Sequence, residues 1–183
     1  MFVMGIDPGL SRCGYGLVER CPGGSRSGMR AVAAGVITTP PAAALPQRLA
    51  DLNRELRALL REFGPATVAV ERVLFQTNAR TAMAVGQASG LALAAAADAG
   101  CEVIQYSPNE VKMAVTGYGA ATKAQVQAMV QTILDLPTRP EPPDMADALA
   151  LAICHLGRAP LARRVALAEA GWRVRRMDAG GVS

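Results

Sequence analysis

Apolar positions run in short stretches near the N-terminus and recur every three to four residues further on, and this change of period marks out the elements. Residues 2–7, 14–19 and 30–38 read as strands, and the connector Cys21-Pro-Gly-Gly-Ser-Arg-Ser-Gly28 reads as a hairpin loop between the second and third. Pro40-Pro41 end this meander. Leu45, Leu49, Leu52, Leu56, Leu59, Leu60 and Phe63 then fall at the spacing of one buried helical stripe, which Gly64-Pro65 stop. A short strand over Thr67–Glu71 precedes a helix that reaches about Ala99. A strand at Glu102–Tyr106 follows, then a short helix opened by Pro108, where proline suits the first turn. The loop Thr116–Thr122 leads to a helix over Lys123–Leu136. Four prolines within residues 137–143 break the chain, and a last helix runs from about Asp144 to Leu156. A strand meander, then alternating helices and strands, then a closing run of helices predicts an α/β fold: a mixed sheet with helices packed on its faces.

One helix invites a second reading. Thr81 to Ala97 carries no charge over 17 residues, the short limit for a membrane span. It holds Gly86, Gln87, Ser89 and Gly90 among weakly apolar alanines, so a buried or interface helix is expected and no membrane partner. The 183 residues suffice for one domain with a substantial core. The net charge of +4 is unevenly placed. Arg158, Arg163, Arg164, Arg173, Arg175 and Arg176 face only Glu169 and Asp178 at the C-terminal end, and the remainder is neutral. We expect a domain over residues 1–157 and a basic, flexible tail over 158–183, able to follow a polyanion. Cys13, Cys21, Cys101 and Cys154 form no CxxC pair, and Asp7 interrupts the first apolar run too early for a signal peptide. Both features predict a reducing, cytoplasmic setting.

Four carboxylates sit at element boundaries. Asp7 closes the first strand before Pro8-Gly9, Glu71 closes the fourth, and Asp144 and Asp147 open the last helix. Each has an ordinary explanation: an Asx-type turn for Asp7, an ion pair with Arg72 for Glu71, and helix capping for the last two. Capping does not require the strand-end acids, however. Strand alternation puts Asp7 on a face with Val3 and Gly5, and Glu71 on a face with Ala69 and Thr67, leaving room beside each acid for an ion and a phosphate. Clustered carboxylates repel or hold protons unless divalent cations relieve them. Oxygen-only ligands suit Mg²⁺ or Mn²⁺. The single histidine, His155, lies two turns beyond Asp147 and reads as a packed or surface residue rather than a ligand.

Six stretches extend the pattern: Gly5-Ile-Asp-Pro-Gly9, Val70-Glu-Arg-Val73, Asn78 through Gly86-Gln-Ala-Ser-Gly90, Tyr106-Ser-Pro-Asn-Glu-Val-Lys112, Thr122-Lys-Ala-Gln-Val126 and Asp144-Met-Ala-Asp-Ala-Leu-Ala150. In this order, over residues 2–157, they resemble the RuvC family of bacterial Holliday-junction resolvases. The resemblance implies an RNase H-like (retroviral-integrase) fold with a mixed five-stranded sheet flanked by helices. It implies Asp7, Glu71, Asp144 and Asp147 as catalytic, metal-binding acids, although some members carry histidine at the position of Asp144. Two Mg²⁺ ions, replaceable by Mn²⁺, would activate the attacking water and stabilise the leaving 3′ oxygen. Lys112 and Lys123, the only lysines, become phosphate contacts; otherwise they are solvated lysines. Family members wedge an aromatic between bases at the junction, and here either Leu74 or Phe75 occupies that neighbourhood, Phe75 reading equally well as core.

The implied activity is symmetric nicking of two strands of like polarity in a four-way DNA junction, in recombination and repair. A homodimer is implied, with the Gly86–Gly90 helix fitting the interface, and so is coupling to the RuvA–RuvB branch-migration complex. Rival readings are a YqgF-type RNA nuclease, which lacks the Tyr106-to-Lys112 and Lys123 pattern; an actin-like kinase or ATPase, which needs roughly twice the length; and a non-catalytic junction-binding protein, which would tolerate loss of the acids.

Overall fold

Strand β1 (Phe2–Asp7) lies at the centre of a five-stranded sheet whose spatial order is β3-β2-β1-β4-β5. The computed structural model describes residues 2–21, 27–73 and 79–158. β2 (Arg12–Arg20) and β3 (Met29–Thr38) pair antiparallel outward from β1, as a meander with a short turn at Pro8-Gly9 must. β4 (Thr67–Glu71) and β5 (Glu102–Tyr106) pair parallel on the other side, each reached through a helix. The mixed sheet is the one expected. β2 begins two residues earlier than its apolar pattern suggests, because the ladder runs on to pair Arg12 with Thr38.

Helices cover both faces. On one, α1 (Leu45–Phe63) and α2 (Ala79–Asp98) bury Leu52, Leu56, Leu60, Ala88, Ala92 and Ala96 against Met4, Ile6, Leu17, Val68 and Val70. Leu45, counted in the apolar stripe of α1, is exposed at the helix start. Gly64 ends α1 in the left-handed region (φ 53°), donating its N–H to the Leu60 carbonyl. α2 contains the uncharged stretch Thr81 to Ala97. Its Ala88, Ala92, Ala95 and Ala96 are core, and among the described residues no helix is long and apolar enough to cross a membrane.

The other face holds α3 (Pro108–Thr116), α4 (Lys123–Leu134) and α5 (residues 143–158). α4 stops short of Leu136 because Asp135 turns left-handed (φ 53°). α5 lies almost directly on the backbone of β1 and β2, and three strand glycines make this approach possible. A Cβ at Gly5 would fall 1.9 Å from the Ala148 carbonyl oxygen, one at Gly14 would fall 2.0 Å from the Asp144 carbonyl oxygen, and one at Gly16 would meet Leu149 at 2.8 Å. The space beside Asp7 was expected to hold an ion and a phosphate. Over Gly5 it is filled by the helix instead.

Gly5→Ala is therefore expected to lift α5 from the sheet at an overpacking cost of about 1–3 kcal/mol. That lowers the melting temperature by several degrees, and thermal unfolding followed by circular dichroism checks it. An unchanged melt would mean that α5 tolerates a methyl group beneath it.

Candidate active site

The ladder register brings the two strand acids together. Ile6 pairs with Val70, so Asp7 and Glu71 each lie one residue beyond the same rung, on the face covered by α5. Asp7 also pairs with Gly14, and Gly14 bears the carbonyl of Asp144. The start of α5 is thereby pinned beside the end of β1, and Asp147 follows one turn along. Asp7, Glu71 and Asp147 line one cleft of about 230 Å³. Lys112 and Lys123 line it too, with Pro108, Val111, Val126 and Leu151 as its apolar floor.

Two capping boxes set the lysines. Ser107 accepts from the Glu110 backbone while Glu110 Oε2 accepts from the Ser107 N–H at 2.9 Å, starting α3 four residues before Lys112. Thr122 and Gln125 do the same for α4, whose first residue is Lys123. The S-x-x-E and T-x-x-Q spacings are the local sequence signal for both boxes. A lysine at a helix N-terminus opposes the helix dipole. Here Lys123 Nζ donates to Asp147 Oδ2 at 3.0 Å, which offsets that penalty and pushes the ammonium pKa up.

Each acid is neutralised differently. Burial, reinforced by the charges of Glu71 and Asp147, pushes the Asp7 carboxyl up to about 8. Burial also raises Glu71, while the hydrogen bond from Asp7 works the other way. Burial and mutual repulsion therefore favour one proton on the pair as a whole. Asp147 is paired with Lys123. Asp144 does not line the cleft: its Oδ2 receives Arg12 Nε and lies 2.9 Å from Arg12 Nη2. Because α5 begins at residue 143, neither helix acid sits at the N-cap, and the capping reading gives way to these ion pairs. Arg12 escaped the sequence reading, since nothing local links it to a residue 132 positions away. The ion pair suggested for Glu71 with Arg72 is absent among the described contacts, where the Arg72 side chain donates to the Gln105 carbonyl. His155 is buried with Nδ1 3.0 Å from the Tyr106 hydroxyl, a packed histidine as expected. Leu74 and Phe75, the wedge candidates, lie outside the described residues, as do most of the 21–28 loop and the tail beyond Arg158.

Among the described residues no three acidic, cysteine or histidine side chains already close around one point. The chemistry of the donors nevertheless fits a hard divalent cation. Three carboxylates share a cleft, one must hold a proton for want of a counter-charge, and another borrows a lysine. A cation would replace both.

A mixed sheet with acids at the ends of two central strands and on the helix laid across them, facing lysines, defines a phosphodiester-cleaving nuclease of the RNase H-like class. The family model described as crossover junction endodeoxyribonuclease RuvC matches residues 3–155. The chain is 52% identical over 168 residues to the crossover junction endodeoxyribonuclease RuvC of Salinispora arenicola, covering 92% of this chain and 94% of that one. It superposes with a TM-score of 0.82 and 36% identity on the Thermus thermophilus RuvC solved in complex with a Holliday junction substrate, covering 88% of this chain and 96% of that one. The yeast mitochondrial Holliday junction resolvase Ydc2 shares the fold, with a TM-score of 0.58 at 16% identity over 85% of this chain and 78% of that one. The chain belongs to the RuvC family of crossover junction endodeoxyribonucleases.

The raised Asp7 pKa has a consequence for stability. A folded pKa above the unfolded value means that the folded state binds the extra proton, so stability falls as pH rises between the two. In EDTA the melting temperature is expected to fall from about pH 4 to about pH 8, the interval between the ordinary Asp value of 3.8 and the folded value of about 8. Asp7→Asn should flatten most of this slope, and saturating Mg²⁺ should as well. Differential scanning calorimetry across that range checks it, and a flat wild-type profile would contradict the shared proton.

Proposed function

We propose that this protein resolves Holliday junctions, nicking two strands of like polarity in a metal-dependent reaction during recombination and DNA repair. The observation that carries the reading is the convergence of Asp7, Glu71 and Asp147 with Lys112 and Lys123 in one cleft. Asp7, Glu71, Asp147 and Asp144 are the residues that would hold two Mg²⁺ ions, with Mn²⁺ able to substitute. The ions would supply Lewis-acid activation of water and charge stabilisation at the scissile phosphate. Lys112 and Lys123 bind phosphates of the cut strand as compact point charges. Binding a phosphate would draw Lys123 from Asp147, and a bound cation would supply the charge relief that a proton gives the Asp7–Glu71 pair. The cleft is smaller than the usual pocket for a drug-sized ligand. It suits a phosphodiester rather than a base, which leaves selectivity to the shape of the junction.

Symmetric cutting calls for a homodimer. α2 offers a face for it: Met83 is 66% exposed, and no atom lies within 4 Å of where a Cβ at Gly86 or Gly90 would stand. Small residues there allow close helix approach. The nuclease domain spans residues 1–157 with Arg158 closing α5 on Glu110, the Arg-rich stretch beyond it is a basic tail able to follow the DNA backbone, Leu74 or Phe75 is the junction wedge, and RuvA–RuvB is the partner machine. The setting is the cytoplasm.

With a labelled four-way junction and Mg²⁺, paired symmetric nicks are expected, absent in EDTA and absent from a linear duplex of matched sequence. Asp7→Asn should keep junction affinity while cutting falls by roughly 10²-fold or more. Undiminished cleavage by that variant would remove the metal-site assignment. Light scattering at micromolar concentration should report twice the chain mass, and a monomer would contradict the dimer.

A further inference from the structure

We infer that Arg12 is a coupling residue of the carboxylate site: it occupies Asp144 when metal and DNA are absent, and passes to a backbone phosphate when Asp144 joins the metal ligands. The inference rests on the metal-dependent nuclease reading above and adds a residue to it.

The backbone of Asp144 is already in place. Its carbonyl presses on Gly14, the rung partner of Asp7, so the residue cannot move without lifting α5. Only its side chain can turn, and that side chain is held away from the cleft by two nitrogens of Arg12 on one oxygen. Arg12 opens β2 at the rim, with its side chain 48% exposed against 26% for Asp144. Pairs this exposed are weak and exchange readily. A guanidinium accepts a phosphate in the same forked geometry as a carboxylate. Asp144 can face either Arg12 or a cation, and Arg12 can face either Asp144 or a phosphate. Two exclusive choices that share one contact make DNA binding and metal loading at Asp144 reinforce each other, equally in both directions. Lys123 performs the same exchange with Asp147 inside the cleft. Arg12 performs it at the rim, where the phosphate it takes is a neighbour of the one to be cut.

The test uses the full chain. In Mn²⁺ titrations followed by electron paramagnetic resonance, without DNA, Arg12→Gln should bind its weaker Mn²⁺ about two- to five-fold more tightly than wild type, the size of an exposed ion pair. Asp144→Asn should lose that weaker event. Unchanged or weaker Mn²⁺ binding in Arg12→Gln, with a lowered melting temperature, would make the pair a plain strut and overturn the coupling. Retention of every Mn²⁺ event by Asp7→Asn would instead sink the metal-site reading beneath it. In EDTA, junction affinity provides a second readout that needs no metal. Arg12→Gln should change it little in the wild-type background, where Arg12 is occupied. In the Asp144→Asn background, where Arg12 is free, it should weaken binding several-fold and lower the salt slope by about one. Equal effects in both backgrounds would also overturn the proposal.

Discussion

The seating of α5 on bare strand backbone governs the rest of this molecule. A helix packed on an ordinary sheet stands off by the thickness of two layers of side chains. Here Gly5, Gly14 and Gly16 remove the lower layer, and Ala148 and Ala152 thin the upper one over Gly5. The close approach fixes the axial position of the helix, because carbonyls at Asp144 and Ala148 bear directly on named strand residues. Asp147 consequently shares the cleft at the ends of β1 and β4. The same contact explains why the helix is rich in small residues, with Ala146, Ala148, Ala150 and Ala152 all fully buried.

Given that seating, like charges must meet, and the molecule manages them with three different devices. Burial drives a proton onto the Asp7–Glu71 pair, a lysine covers Asp147, and an arginine covers Asp144. None of these improves packing, and the first opposes stability as pH rises through neutrality. Lys123 at the first position of α4 breaks a local helix rule that Asp147 mends only through tertiary contact. Violations gathered at one place mark a site held for function.

The strand acids were readable from the chain because a strand end is a local event: an apolar run, an acid, then a breaker or a basic residue. Helices α1, α3 and α4 were readable for the same reason, from periodicity, prolines and stop signals. The role of Gly5 is not legible in the sequence, since a small residue beside an acid is equally compatible with an ion cavity and with a helix pressed into the gap. Capping was a fair local explanation for Asp144 and Asp147, and it yielded to partners that lie far away in sequence. Arg12 was invisible for that reason as well.

The sequence by itself determined the elements, their order, the mixed sheet and the placing of Asp7 and Glu71 at strand ends. Those properties follow from period, breakers and residue chemistry, which act over a few positions at a time. Tertiary structure alone decided which acids share a cleft, which one is turned to the rim, that Asp7 and Glu71 are pushed toward protonation, and which basic side chains face Asp144 and Asp147. Desolvation and Coulomb interaction depend on distance through space, and distance through space exists only once α5 has settled on the sheet.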